Sequence, residues 1–549
     1  MVLSHMAAQL KQQLLADNID DPISKQWRRY GLWGILAIAL VLRLYHLDQP
    51  LIDAFSWRQA STAMMAENFY RTNSNILFPE VNWNGPGPSY QGREFQTLTY
   101  LAALCYNLLG QQEWIGRAIA VGFGVWGVFA LYQLVRCVWD ENRALASAAV
   151  MALLPGSVFI DRSFLPDPVM VALVTTGAWL LLRYLQTNCL RDLAFATVVT
   201  SWAFLSKLPG LIIGLPMVWA MLLTLHHQRW PIRRIIAISL ASVGVLAPVV
   251  AYYLWARHLS LSYPPYHFAG SGTWVWDHGL VNWLRDAYYL PKLFQIVQGW
   301  LWTPPVIVLV GCGLVLPFPS RPELAQGKPP TFPWFFHGWG LAVGLFYLIG
   351  AKEIVDNSWN LHLINPAAAA LAGHGIISLT QLALRYAPRW GTVQTWKVAL
   401  LLPLVCYLAI GYYGRARLAY LYYPYAMQSY QLGQNLEQVS QPGDLVVTMA
   451  NDLGDPIAIY YSHRRGWVFP PPWDDIAWGN PTLEDDEMAI QWLDTLRGLD
   501  ARWFGVVGDR IDDLYQNNPG FMAYLEQHSD PIKKTPDWVI YQLHSISPS

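Results

Sequence analysis

Apolar runs of about twenty residues recur along this chain, each long enough for a helix to cross the roughly 30 Å hydrocarbon core of a bilayer. Nothing else in the sequence constrains the fold as tightly. Backbone in lipid must satisfy its own hydrogen bonds, so each such run has to be a helix. Spans are expected near 31–49, 117–136, 143–161, 168–186, 193–206, 209–226, 233–256, 297–317, 333–350, 360–382 and 397–413. Charged residues make up 13% of the 549-residue chain, against about 25% in soluble domains. The expected fold is a polytopic α-helical membrane protein of about eleven spans, up to thirteen, with a C-terminal soluble α/β domain.

Lys and Arg in short loops set the orientation. With the N-terminus inside, the inner loops gather Arg136 and Arg143, Arg183 and Arg191, then Arg229, Arg233 and Arg234. Later ones gather Arg321 and Lys328, then Arg385, Arg389 and Lys397. A polar cytoplasmic leader, 1–30, carries Lys25, Arg28 and Arg29. No small-residue cleavage site follows the first apolar run, so an anchor is expected there, not a removed signal peptide. The long outer loops are 50–116 and 257–295. Within the first, 97–110 is expected to lie along the outer surface, because a span there would move several arginines outside. The runs 193–206 and 209–226 are short, and Pro209-Gly210 between them marks a candidate re-entrant or broken helix.

Net charge hides an asymmetry. Residues 425–549 hold 7 Lys/Arg and 18 Asp/Glu, so an acidic domain hangs from a basic membrane portion. That pattern gives no support to nucleic-acid binding. The domain, 415–549, carries β-rich runs at 444–449, 502–507 and 538–542 separated by helical patterns, which predicts a mostly parallel sheet outside the membrane. No glycine-rich phosphate loop follows any of these strands. The five cysteines show no metal-ligand spacing and no disulfide framework.

Unusual polar groups collect where the topology puts the outer face. Asp53 and Arg58 follow span 1, Arg93-Glu94 opens the 97–110 segment, and Asp161-Arg162 and Asp167 sit at the end of span 3. Lys207 precedes Pro209; His258, His267, Asp277 and His278 occupy the later outer loop; Lys352-Glu353, Asp356 and His362 precede span 10. Ionisable groups near lipid are costly and are usually kept for function.

In this respect the chain resembles the GT-C glycosyltransferases, most closely the protein O-mannosyltransferase and aminoarabinose transferase superfamily. The resemblance covers roughly 30–410. Asp53 matches the acid that opens the family's first outer loop; the neighbouring acid of many members is Ala54 here. Arg93-Glu94-Phe-Gln-Thr-Leu-Thr-Tyr100 resembles a loop-to-helix entry, without the usual prolines. Glu113-Trp-Ile-Gly-Arg117, Arg162 with Asp167, Lys207-Leu-Pro-Gly210 and Asn360-Leu-His-Leu-Ile-Asn-Pro366 resemble further motifs. The resemblance implies that 31–414 is a catalytic membrane domain and that the substrate is a sugar on polyprenyl phosphate. The acceptor is a lipid, a glycan or a protein. It leaves open a divalent metal, Mg²⁺ or Mn²⁺, at Asp53 and Glu94, although Ala54 removes one expected ligand.

The chemistry suits these residue types. A polyprenyl phosphate leaves as an anion, and Arg58, Arg93, Arg162 and Lys207 are the candidates to stabilise it. Asp53 is the candidate base for the acceptor hydroxyl. One essential carboxylate predicts direct displacement with inversion, since the retaining route needs a second. Glu94, Asp167 and His362 are expected to contact the acceptor or support the site. The expected location is the cell membrane, with the site and the C-terminal domain on the extracytoplasmic side. The C-terminal domain is expected to help hold the acceptor.

Plainer readings stand beside these. Arg58 and Lys207 at span ends also suit snorkelling to headgroups. Asp161 and Asp167 suit helix N-caps. The outer-loop histidines and His463-Arg464-Arg465 read better as solvated residues. A transporter or flippase is the rival class, but it would place charges at the midplane in two repeated halves. A non-enzymatic assembly factor for surface polysaccharide would tolerate loss of Asp53. An oligosaccharide ligase or polymerase would share the donor chemistry.

Overall fold

The computed structural model describes residues 22–228, 230–266, 288–318, 331–386, 392–451, 454–471, 483 and 485–545. Residues 1–21 of the leader, and Arg229, His267, Asp277, His278, Arg321, Lys328 and Arg389, lie outside them. The chain forms two compact units. A helical unit draws on Met1–Leu47, Arg117–Tyr252 and Ser271–Leu421. The second draws on Asp48–Gly116, Tyr253–Gly270 and Tyr422–Ser549. The sheet in the 422–549 segment is therefore not assembled from that segment alone.

Among the described residues, six helices are long and apolar enough to cross a membrane: Glu113–Val138, Asp167–Thr187, Leu208–His227, Ile232–Ser262, Ser358–Arg385 and Lys397–Leu421. A seventh candidate is the pair Tyr289–Leu301 and Thr303–Val315, bent by 103°. This is a multi-pass membrane protein. The expected run 143–161 is broken in the structure. Leu154 is extended because Pro155 follows it, which separates helix Glu141–Leu153 from Pro155–Ile160. Near Pro209, Leu208–Ile213 is a 3-10 turn leading into Gly214–His227.

Small residues set the packing of the helical unit. Helix Asn365–Tyr386 opens with four consecutive alanines, and its Gly373 lets the backbone of Ser147 approach so closely that a Cβ would sit 2.5 Å from the Ser147 nitrogen. Gly313, on Thr303–Val315, meets the Leu371 carbonyl in the same way. Without a hydrophobic force between helices in lipid, close backbone approach supplies the attraction. The apolar window of Asp167–Thr187 is 89% buried, whereas that of Ile232–Ser262 is 11% buried. The second helix exposes Leu240, Val243, Val250 and Leu254, a surface suited to lipid.

The second unit is built on one six-stranded sheet, ordered β1-β3-β2-β4-β6-β5. The strands are β1 (Asn84–Gly85), β2 (Leu445–Met449), β3 (Arg465–Val468), β4 (Ala501–Val507), β5 (Ser529–Lys534) and β6 (Trp538–Leu543). Only β3-β2 and β2-β4 are parallel; the other three pairings are antiparallel, so the sheet is mixed and not mostly parallel. The chain turns back between β5 and β6 in a short connection, which only an antiparallel pair allows. Strand β1 comes from the first long loop and caps one edge. The core on one face gathers Val447, Met449, Phe469, Leu493, Phe504, Phe521 and Leu525.

Candidate active site

Asp53 is fully buried in the second unit, held by its neighbours on the chain. The Ile52 carbonyl accepts from the Ala426 nitrogen (3.1 Å), the Leu51 nitrogen donates to the Tyr461 hydroxyl (2.7 Å), and Gln49 donates to the Tyr422 carbonyl (3.0 Å). Phe55 then takes a left-handed φ of 67° and starts helix Ser56–Arg71. A non-glycine residue there is strained, and such strain survives only where surroundings fix it. One turn into the helix, Gln59 Nε2 donates to Asp53 Oδ1 (2.7 Å) and to the Ala54 carbonyl (3.2 Å). The carboxylate is thus oriented by a neutral amide.

Helix Ser56–Arg71 is unusual in burying polar residues. Asn68 donates to the Glu80 carbonyl and to Asn82. Glu67 accepts from His463 Nδ1 (2.9 Å) and pairs with Arg71. His463-Arg464-Arg465 is not a solvated face. Arg465 reaches Glu80 (2.6 Å), and Arg464 donates to the Glu437 and Ser440 carbonyls at the end of helix Met427–Val439, satisfying carbonyls that a helix terminus leaves open. The hydrogen bond it donates to Glu67 holds the His463 imidazole above its usual pKa.

Arg58 and Arg93 are 5% and 7% exposed. Arg58 pairs with Glu94 through Nη2. Its Nη1 has no hydrogen-bond partner among the described residues, and neither do Nε and Nη1 of Arg93. A buried guanidinium without partners costs several kcal/mol of desolvation. Arg58 and Arg93 each keep donors open, and such donors suit an anion.

A divalent metal does not fit here. Glu94 already answers Arg58, Asp53 Oδ1 is taken by an amide proton, and the adjacent guanidinium groups repel a dication. Among the described residues no group of three or more His, Cys, Asp or Glu is placed to hold a metal.

The remaining candidates belong to the helical unit. Lys207, extended at the end of helix Leu190–Ser206, donates to both oxygens of Asp167 (2.7 and 2.9 Å), and both residues are buried. Asp167 is the first residue of its helix and caps nothing; its carboxylate holds the lysine. Burial, aided by Asp356 and opposed by Lys207, pushes the Glu353 carboxyl up to about 7. His362 is fully buried, with Nε2 on Asp161 (2.8 Å) and Nδ1 on Asn365 (2.9 Å). Arg43 completes that network with two bonds to Asp161 (2.9 and 2.8 Å), and Trp302 donates to Asn365. Arg162 donates to the His46 carbonyl (2.8 Å).

The structure therefore brings together Asp53, Arg58, Arg93 and Glu94 in one unit and Arg162, Asp167, Lys207 and His362 in the other. Sequence reasoning missed Arg43, whose charge at the end of an apolar run reads as a snorkelling arginine. It also passed over Gln91, a neutral residue that is buried with its amide oxygen unpaired among the described residues.

Comparisons with known proteins are in keeping with the resemblance read from the sequence. Residues 97–255 match the family model for dolichyl-phosphate-mannose-protein mannosyltransferase. The chain is similar in structure to ArnT from Cupriavidus metallidurans bound to undecaprenyl phosphate, with 12% identity over 92% of this chain and 97% of that one and a TM-score of 0.56. It is also similar to the oligosaccharyltransferase AglB from Archaeoglobus fulgidus in complex with an inhibitory peptide and a dolichol-phosphate, with 12% identity over 95% of this chain and 75% of that one and a TM-score of 0.54. No curated protein sequence matches the chain.

Proposed function

We propose that the protein is an inverting glycosyltransferase that moves a sugar from a polyprenyl-phosphate donor to a lipid, glycan or protein acceptor. It works on the extracytoplasmic face of the cell membrane. The observation that carries this reading is Arg93, buried with two unpartnered nitrogens in the same unit as the half-satisfied Arg58. The match of 97–255 to a mannosyltransferase family supports it, as do the lipid phosphates in the two similar structures.

In the reaction, the acceptor oxygen attacks the anomeric carbon while the bond from that carbon to the phosphate oxygen breaks. The donor phosphodiester carries one negative charge, and the departing polyprenyl phosphate gains a second. Arg58 and Arg93 meet that growing charge, which is the interaction that lowers a barrier. Asp53, oriented by Gln59, takes the acceptor proton. Glu94 holds Arg58 in place. The test is Asp53→Asn: transfer from a polyprenyl-phosphate sugar should fall by about 10²–10⁴ while the protein still folds and inserts. A fully active variant would sink the assignment.

A further inference from the structure

The segment that carries Arg93 holds a second unsatisfied group. Gln91 is 2% exposed, and its Oε1 has no partner among the described residues. The backbone here is extended. The Gln91 nitrogen donates to the Pro79 carbonyl (3.0 Å), the Val81 nitrogen to the Ser89 carbonyl (2.9 Å), and Glu80 bridges Tyr90 in antiparallel fashion.

Gly92, between the two side chains, faces Ala256 and Ser260 so closely that a Cβ would lie 2.3 Å from the Ala256 carbonyl oxygen. Side chains alternate along extended backbone. Gln91 and Arg93 therefore leave it on the other face, side by side, one offering an acceptor and the other donors.

They do not satisfy each other, since the amide oxygen and two guanidinium nitrogens all remain unpaired. An unpaired buried polar group costs about 1–3 kcal/mol, more when charged. A ligand that removes both costs must accept from Arg93 and donate to Gln91. A bare phosphate diester can only accept. A sugar phosphodiester has both properties, because a hydroxyl on the carbon next to the anomeric centre lies beside the phosphate. A protonated amine at that carbon would stand against Arg93 as a like charge, so a hydroxyl is the better donor.

We infer that Gln91 is a specificity-determining residue that accepts the hydroxyl next to the anomeric carbon of the transferred sugar. This rests on the reading that Arg93 takes the donor phosphate. It assigns the donor class as a neutral glycosyl group with that hydroxyl free.

The test measures binding of the full chain in nanodiscs to three probes: undecaprenyl phosphate, undecaprenyl phosphomannose and its 2-deoxy analogue. The native protein should prefer the phosphomannose lipid to the 2-deoxy form by about tenfold, the scale of one buried group left unpaired. Gln91→Leu should erase that preference and leave binding of undecaprenyl phosphate unchanged. Gln91→Glu, which sets a carboxylate beside Arg93, should lose undecaprenyl phosphate as well.

Absence of a preference in the native protein overturns the inference, as does a preference kept in Gln91→Leu. A Gln91→Leu variant that loses all three probes equally, with an unchanged melting temperature, also overturns it. If the native protein binds none of the probes, or Arg93→Gln binds undecaprenyl phosphate as before, the donor reading itself falls and the inference with it.

Discussion

Two clusters of buried charge, one in each unit, are treated in opposite ways. In the helical unit, Arg43, Asp161 and His362 close a network that ends on Asn365 and Trp302, and Lys207 is chelated by Asp167. In the second unit, Arg58, Gln91 and Arg93 are just as buried and keep atoms without partners. A closed network fixes a fold; it has no valence left for a ligand. An open one costs stability until something occupies it, and strained or unsatisfied groups collect where binding happens. The contrast teaches that the number of charges in a region says less about its role than the bonds those charges still lack.

The largest effect that would break this comparison is on activity. Arg93→Gln should lower transfer by about 10²–10³, the loss seen when one charge-stabilising group is removed, and should leave thermal stability unchanged or higher. A variant that melts early and keeps its turnover would place Arg93 with the structural arginines.

Asp161→Asn should do the reverse. It strands Arg43 in the interior, at a cost of about 3–5 kcal/mol, and should appear as loss of folded protein in detergent. Replacing Arg43 by Met in the same chain should restore much of the yield, since removing both partners is far cheaper than removing one. A stable Asp161→Asn single variant would contradict the structural role of that network.

The smallest effect concerns His463, which faces Glu67, Arg71, Glu437 and Tyr460. Its folded pKa lies above the unfolded value of about 6.5. Protonation therefore stabilises the folded unit fully below that value, and the contribution is lost as pH rises through the raised one. The melting temperature of the native protein should fall as pH rises above about 6.5, and Glu67→Gln should flatten that slope. An equal slope in both proteins would assign the effect to another group.

Much of the candidate site was legible in the sequence because charged residues beside apolar runs are conspicuous. Asp53, Arg58, Arg93 and Glu94 all stood out in this way. Their partners did not, because a partner is a matter of distance. Lys207 and Asp167 are 40 residues apart, and nothing in their spacing says that the lysine is already engaged. His463-Arg464-Arg465 read as solvated because its acids, Glu67 and Glu80, lie nearly 400 residues earlier. The broken third run was readable after all, since Pro155 disfavours helix at the residue before it.

By itself the sequence determined that this chain crosses a membrane several times, because apolar length and backbone hydrogen bonding leave no alternative in lipid. It also offered the residue types that the proposed anion site and carboxylate base call for. The tertiary structure alone decided which of those charges are spent. It drew the sheet from the first loop as well as the chain's end, closed the Arg43–Asp161–His362 network, and left the Gln91 amide oxygen and two Arg93 nitrogens without partners among the described residues. Pairing depends on where distant segments meet, and a linear pattern of charge and hydropathy carries no record of that.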